Sequence, residues 1–322
     1  MTVAATTSPD SVSIHPLVSP WGRFGLYSYF IDAPEPAIVD TGITTSPAEG
    51  MLPALEAIGR RIEDVRWILL THGHIDHMGG AHALWELTGR RAKVVIHEAD
   101  AHLLRSRREH VALYERVRQQ YLHDPAGAAK QAAAAEHAIS GEMEADLLLR
   151  GGETLSLGGG VTVSVHPVPG HTPGSVAYVV DGQDDVFVGD AVQIHGAANF
   201  FPGYEDPVAY RASLEYLRDA VSPRRLYLGH PYRGASGEPY GVELDRTAAA
   251  RALQESLDIE ARIAAAAHAA FEAGLDETDS AYSPFAAAAA ELGYEGDPTL
   301  DPSPFFTTMH GYRRLFEAGA AS

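Results

Sequence analysis

From Thr71 to Gly80 the chain reads Thr-His-Gly-His-Ile-Asp-His-Met-Gly-Gly, so three imidazoles and a carboxylate share the six positions from His72 to His77, directly behind the apolar run Val65 to Leu70. In an extended segment alternate side chains share a face, which lets His72 and His74 grip one ion while a following turn re-aims Asp76 and His77 at a second. Neutral imidazole and carboxylate suit zinc, iron or manganese. A structural zinc finger would be expected to use thiolates, and this chain has no cysteine. The spacing therefore points to a catalytic metal centre. With 16 histidines some clustering arises by chance, but further donors downstream sit in matching contexts. They are Pro169-Gly170-His171-Thr172-Pro173-Gly174-Ser175, Val188-Gly189-Asp190 and Leu228-Gly229-His230. Each follows an apolar run and a glycine, and a strand ending in Gly can turn sharply and present the next side chain at the sheet's edge.

Together His72, His74, Asp76, His77, His171, Asp190 and His230 resemble the ligand set of the metallo-β-lactamase superfamily in its glyoxalase II-like, two-metal form. The resemblance covers roughly residues 20 to 235. It implies an α/β fold, the αββα metallo-β-lactamase sandwich, with His72, His74 and His171 on a first metal, Asp76, His77 and His230 on a second, and Asp190 bridging them. Asp190 stands where the cysteine-containing β-lactamase subclasses carry Cys. Asp40, in Asp40-Thr41-Gly42, matches an aspartate that the family places behind the ligands, and a ligating imidazole needs such a partner on its other nitrogen. The implied cofactor is two divalent ions, zinc first, with iron or manganese as alternatives. A metal lowers the pKa of bound water to about 7, so a bridging hydroxide is expected to attack a carbonyl while a metal stabilises the oxyanion. Asp76 is the expected catalytic residue, ligating and orienting that hydroxide. No GxSxG elbow offers a serine alternative.

The elements that must position these donors follow from local pattern. A hairpin is predicted over Phe24 to Ile31 and Ala37 to Val39, a helix from Ser46 to Ile58 with Ser46 as N-cap and Pro47 at its first position, and a strand from Val65 to Leu70. A helix Ala81 to Leu87 and a strand Lys93 to His97 follow. From Asp100 to about Leu149 the pattern becomes helical, and is expected to form an insertion (about 100–150) that folds over the metal mouth. Gly151-Gly152 restarts a β pattern at 154–157, 161–165, 177–180 and 186–188. An aromatic loop from Gln193 to Asp206 precedes a helix Pro207 to Ala220, and His195, Phe200, Phe201 and Tyr204 are its candidates for a substrate pocket wall. The expected division is an αββα domain over 1–242 and a helical C-terminal extension over 243–322, packed through Tyr312, Leu315 and Phe316. Of the remaining histidines, His97, His166, His195 and His310 are expected to be able to approach the site. His15, His82, His102, His110, His123, His137 and His268 are given no role.

Length and charge set the limits. A chain of 322 residues can bury a substantial core. No apolar run approaches the roughly 18 to 20 residues of a membrane span. Met1 to Asp10 lack a basic start and an apolar region, which reads as a short disordered lead with no secretory signal and makes a cytoplasmic location the expectation. A formal net charge of -19 repels nucleic acid, and the arginines at 105, 107, 108, 116 and 118 read as a solvated helix face. The expected partner is a small-molecule or carrier-bound acyl substrate, with neither nucleic acid nor membrane, and a homodimer is allowed. A thiolate leaves without protonation, whereas an alkoxide or amine needs an acid. Acyl-homoserine lactonases of the family are expected to supply that acid from a tyrosine three residues past the bridging Asp, where this chain has Gln193. That favours a thioesterase over a lactonase. Lys93 and Lys130 are the chain's two lysines, which argues against a lysine-dependent glutathione clamp. An iron-dependent oxygenase and a ribonuclease of the same fold are the other readings.

Overall fold

The computed structural model describes residues 12–21, 24–197, 199–299 and 303–320; the expected lead Met1 to Asp10 and the side chain of Arg118 lie outside the described set. Two six-stranded sheets form the centre. The first runs in chain order: β1 (Ser13–Trp21), β2 (Phe24–Asp32), β3 (Ala37–Val39), β4 (Trp67–Leu69), β5 (Lys93–His97) and β6 (Leu147–Leu149). The second comprises β7 (Thr154–Ser156), β8 (Thr162–Pro167), β9 (Val176–Val180), β10 (Asp185–Phe187), β11 (Arg225–Tyr227) and β12 (Glu243–Asp245), also neighbours in order. Pairing is antiparallel at the β1–β2–β3 hairpins and parallel from β3 to β6. In the second sheet the β10–β11 pair alone is parallel.

The helices are α1 (Leu52–Ala57), α2 (Ile75–Met78), α3 (Ala81–Leu87), α4 (Ala101–Arg105), α5 (Arg107–Val117), α6 (Pro125–Ala138), α7 (Pro207–Tyr216), α8 (Arg246–Ala273), α9 (Ala286–Leu292) and α10 (Pro304–Ala320). Period-two alternation explains how both sheets are covered on both sides. In β4 and β5, Leu69 and Val95 point between the sheets, where they meet Val163, Tyr178 and Phe187. Their neighbours Ile68, Val94 and Ile96 point the other way, onto Met51, Leu55 and Leu84 of the first helical layer. Val179, Val186 and Leu226 leave the second sheet's outer face for α7 to α10. The result is the αββα sandwich. Each such side chain, fully buried, contributes roughly 1.5–3 kcal/mol, and a one-residue slip would turn every one of them to the wrong layer.

Four segments differ from the sequence expectation. β1 precedes the predicted hairpin; Pro16 and Pro20 mask its signal, and both are tolerated because β1 is an edge strand. Leu147–Leu149, expected to be helical, is a strand beside β5, its three leucines giving no alternation to read. Glu243–Asp245, expected to open the helical extension, pairs with β11, and Asp245 then caps α8 by accepting from the Ala248 N–H at 2.8 Å. Ser46 does not cap the helix that starts at Pro47. Its hydroxyl accepts the Ile43 N–H at 3.0 Å and so closes the turn before it.

Two tyrosines cross-brace the sandwich where strands hand over to the donors. Tyr178 of β9 donates to the Leu70 carbonyl at 2.9 Å, one residue past β4. Tyr29 of β2 donates the opposite way, to the Leu228 carbonyl just past β11. Both are buried. Tyr178→Phe is therefore expected to lower unfolding free energy by about 1–2 kcal/mol, because a buried carbonyl loses its donor. Tyr216→Phe, at an exposed position, should stay within about 0.5 kcal/mol, and chemical denaturation of the two variants checks the contrast.

Candidate metal centre

The seven donors leave the sandwich at one end. The turn after β4 carries His72 and His74, and its short helix α2 carries Asp76 and His77. His171 comes from the β8–β9 connection, Asp190 from just past β10, and His230 from just past β11. Three groups of donors each converge within 4.8 Å: His72, His74 and His171; His72, His77 and Asp190; and Asp76, His77 and His230. His171 Nε2 lies 2.8 Å from His74 Nδ1. On the other side, His77 Nε2 is 3.3 Å from His230 Nε2, and His230 Nε2 is 3.1 Å from Asp76 Oδ2. The two oxygens of Asp190 divide between the sets: Oδ1 lies 3.2 Å from His77 Nε2, and Oδ2 lies 3.7 Å from His171 Nε2. A bare glycine makes this approach possible, since a Cβ at Gly229 would overlap Asp190 Oδ1 and stand 2.8 Å from His77 Cε1.

These residues fit divalent metal. Two donors on one tetrahedral ion stand roughly 3.3 Å apart, close to the separations seen. His72 Nε2 and Asp190 Oδ1 are buried without a hydrogen-bond partner, a cost that a cation at those atoms would remove. Burial holds the imidazoles of His72, His74 and His171 below their ordinary pKa, so each keeps a lone pair. In His77 burial acts the same way but Asp190, Asp76 and Asp40 outweigh it, and in His230 Asp190 and Asp76 do; both rise. The carboxylates in turn sit low: burial opposes ionisation, and His77 and His230 overcome it at Asp76 and Asp190. Positive charge is wanted at this place.

The supporting residues explain how the ligands are aimed. Asp40, in a left-handed conformation at φ 58°, accepts the Thr71 N–H through Oδ1 at 2.8 Å and contacts His77 Nδ1 through Oδ2 at 2.8 Å. That hydrogen bond puts the proton on Nδ1 and leaves Nε2 free for the cage. His171 Nδ1 likewise donates to the Gly203 carbonyl at 2.6 Å. Gln193 holds that loop, accepting the Gly203 N–H and donating to the carbonyls of Gly203 and Asp190. Asp100 ties the first donor turn to the His171 turn by accepting from the Gly73 and Gly174 N–H groups at 2.9 Å and from Thr172 Oγ1 at 2.7 Å. Tyr232 is buried, and burial and the carboxylate of Asp190 keep its phenol protonated.

Sequence reading missed Asp100, Gln193 as a brace, Tyr232, and above all His110. It was given no role, yet α5 buries it completely beside the cage. Its pKa falls to about 4 through burial, with Asp76 opposing and His102 assisting, and it in turn lowers His74. A lone imidazole next to Val111, opening the apolar stretch of a helix that begins with Arg107, Arg108 and Glu109, was the available signal. His97 and His166 make local contacts, His166 with the Tyr216 hydroxyl at 2.6 Å, and His310 meets Tyr121 at 2.7 Å. His195, Phe200 and Phe201 are brought together around a cavity of about 520 Å³ that none of the seven donors lines. Tyr204 does not reach it: its ring is fully buried, stacked on Tyr210 at 4.2 Å, with its hydroxyl 3.3 Å from that of Tyr312. Core packing claims that ring because its apolar body fits between α7 and α10. Of the arginine run, Arg105 pairs with Glu144 at 2.7 Å and Arg107 donates to the Ile139 carbonyl.

Comparison with known proteins agrees with this geometry. A family model described as the metallo-beta-lactamase superfamily matches residues 21–230. The chain belongs to that superfamily and carries a His/Asp cluster suited to divalent metals. A hydroxyacylglutathione hydrolase of Hyphomonas neptunium is 35% identical over 100 residues, 31% of this chain and 38% of that one. A second, from Rhodopseudomonas palustris (strain BisA53), is 30% identical over 218 residues, 66% of this chain and 68% of that one. The match thus spans little more than a third of the first relative's length. A metallo-beta-lactamase family protein from Thermus thermophilus shares the fold with a TM-score of 0.66 at 24% identity, over 96% of this chain and 94% of that one. Among the described residues no helix is long and apolar enough to cross a membrane.

Two outcomes are expected. Asp40→Asn would face an N–H toward His77 Nδ1, favour the other tautomer and point a proton into the cage, so zinc affinity should fall about 10–100-fold in chelator competition with far-UV circular dichroism unchanged. Glu205, beside the His171 turn, is pushed up to about 7 by burial and then Asp100, against Arg116 and Arg314. A carboxyl raised in the folded state is favourable while protonated, and costs stability as pH climbs from its unfolded value through about 7. Glu205→Gln should therefore be more stable than the parent at pH 8, by about 1–3 kcal/mol, and the difference should vanish near pH 4.5; denaturation of both at the two pH values measures it.

Proposed function

We propose that this chain is a two-metal hydrolase, with zinc as its ion pair, that cleaves the thioester of a small or carrier-bound acyl group. The convergence of seven donors, with the two oxygens of Asp190 directed at different imidazole sets, is the observation that carries this reading. When bound, the ions would supply a water deprotonated near neutral pH and a Lewis acid for the substrate carbonyl. His72, His74 and His171, held neutral by burial, offer nitrogen lone pairs to one ion; Asp76, His77 and His230 serve the other. Asp76 has a slightly more open side chain than Asp190, 17% against 11% exposed, which suits it to orient the attacking water.

Leaving-group chemistry supports a thioester. Gln193 carries a carboxamide with no acidic proton, and the Tyr204 hydroxyl is committed to Tyr312, so neither can protonate an alkoxide. Tyr232 is buried beside Asp190 with its hydroxyl protonated and unpartnered, so the preference for a thioester comes from Gln193 and Tyr204. A thiolate needs no such donor. The relatives named hydroxyacylglutathione hydrolase support the same reaction class. Glutathione itself is less favoured, because Lys93 lies over the Trp67 ring at 4.7 Å and Lys130 belongs to α6, leaving no lysine for a clamp at the C-terminal helices.

Zinc-loaded protein assayed side by side against acyl-glutathione, acyl-coenzyme A, lactone, β-lactam and RNA should turn over a thioester with kcat/KM at least tenfold above any lactone. His171→Ala and Asp190→Ala should lose activity about 1000-fold or more and lower the metal content, whereas His268→Ala should do neither. Equal or faster lactone cleavage would sink the thioester reading, and full activity after exhaustive chelation would sink the metal mechanism.

A further inference from the structure

We infer that the cavity of about 520 Å³ beside the 193–203 loop is a second ligand site, for a small amphipathic anion, whose occupancy acts on the metal ligand His171. Its size falls in the range of small-molecule pockets. Phe200, Phe201, Ile259 and Tyr294 provide apolar walls, and His195 and Arg262 provide polar ones. The floor is firm: Phe201 packs edge-on against Tyr294 at 4.9 Å and against Phe305 at 5.3 Å. Phe200, by contrast, is 52% exposed, with the Arg233 guanidinium 4.2 Å over its ring.

Charge selects the ligand. Arg262 makes no ion pair among the described residues, and His195 is near enough to it that Arg262 adds to the burial that lowers the imidazole's pKa, with Glu255 opposing. Of the two acids at the rim, Asp297 is engaged by the Thr299 N–H at 2.9 Å and hydroxyl at 2.6 Å, and Glu295 is exposed. A guanidinium with no ion pair among the described residues, lining the same cavity as Phe201 and Tyr294, calls for an aromatic or acyl body carrying a carboxylate, sulfonate or phosphate.

The loop links this site to the cage. Pro202 lines the cavity, and the next residue, Gly203, offers its carbonyl to His171 Nδ1 and its N–H to Gln193. The same loop holds two bulky residues in left-handed conformations, Ile194 at φ 51° and Phe200 at φ 56°. Such positions are kept where the surroundings over-determine them. A ligand that moves Phe200 relaxes or tightens a loop whose other face aims a metal ligand. The coupling part of this inference rests on the two-metal reading; the binding part does not.

The test uses the zinc-loaded full chain and 8-anilinonaphthalene-1-sulfonate, with the neutral N-phenyl-1-naphthylamine as its uncharged counterpart. Saturable one-to-one binding of the sulfonate is expected, at least tenfold tighter than the neutral probe. Arg262→Gln should abolish that preference while leaving the neutral probe's affinity in place. Zinc transfer to a chromogenic chelator should change at least threefold when the parent protein is saturated with the sulfonate, and should not change in Arg262→Gln at the same concentration. Sulfonate binding that ignores Arg262→Gln, or that is lost instead on Leu315→Asp in the separate groove between α7, α8 and α10, overturns the site. Binding at Arg262 with unaltered zinc transfer overturns the coupling. None of these readouts uses turnover, so a failed thioesterase assay leaves them intact.

Discussion

Seven polar side chains from four separate stretches of chain are held at the edge of a low-dielectric sandwich, and without positive charge between them the arrangement is unfavourable. Five imidazoles and two carboxylates form three overlapping groups, the donor atoms of each within 4.8 Å of one another. Burial strips them of water, and their mutual effects split them into two populations, lowering His72, His74 and His171 while raising His77 and His230. The split follows the carboxylates. Where Asp76, Asp190 and Asp40 cluster, nitrogen atoms are driven to accept protons, and a divalent ion competes for the same lone pairs with twice the charge. Much of the rest of the fold serves to keep these groups from moving apart.

That holding is done by buried hydrogen bonds that cross from one strand end to another. Tyr178 and Tyr29 reach in opposite directions between the sheets to fix the carbonyls of Leu70 and Leu228, so the launch points of the first donor turn and of His230 are set by the sandwich itself. Asp40 fixes Thr71 and His77 together, Asp100 fixes the first donor turn against the His171 turn, and Gln193 fixes the Asp190 and Gly203 carbonyls. Each brace joins separate segments of the site. Loss of one would shift a ligand by a fraction of an ångström, which a metal site registers as affinity long before the fold registers it as stability.

Local signals carried the seven donors and most strands into view, because a histidine after a glycine at the end of an apolar run is a local pattern. Asp40 was legible for the same reason, lying at the end of β3. Asp100 and Gln193 were not: their importance comes from which distant N–H and C=O groups they meet, and nothing in their immediate neighbours encodes that. His110 was hidden by its helix. A polar stretch rich in arginine reads as solvated, and only tertiary packing turns that one position inward. The strands Ser13–Trp21, Leu147–Leu149 and Glu243–Asp245 escaped for a simpler reason, being proline-bearing or three residues long, so that pairing partners rather than alternation define them. Tyr204 shows the converse. An aromatic residue in a loop beside a metal ligand invites a substrate role, yet its ring completes the packing of Tyr210 and Tyr312.

The helical segments outside the sandwich divide the labour with the strand ends. The insertion is anchored at two points: Ser140 donates its N–H and hydroxyl to the Gly79 carbonyl, just past the helix bearing Asp76 and His77, while Tyr121 stacks on Phe306 at 5.2 Å and meets His310 on the last long helix. It therefore connects the first donor turn to the C-terminal helices around the outside of the cage, and delivers His110 on the way. The strand ends supply the seven donors; the surrounding helices and the 193–206 loop supply groups packed around them, His110 beside His74 and the Gly203 carbonyl at His171 among them. Gln193 stands at the junction of the two. Its amide holds the Gly203 and Asp190 carbonyls and the Gly203 N–H, so the residue three positions past Asp190 serves the aim of the donors rather than proton transfer, for which a carboxamide has no acidic proton.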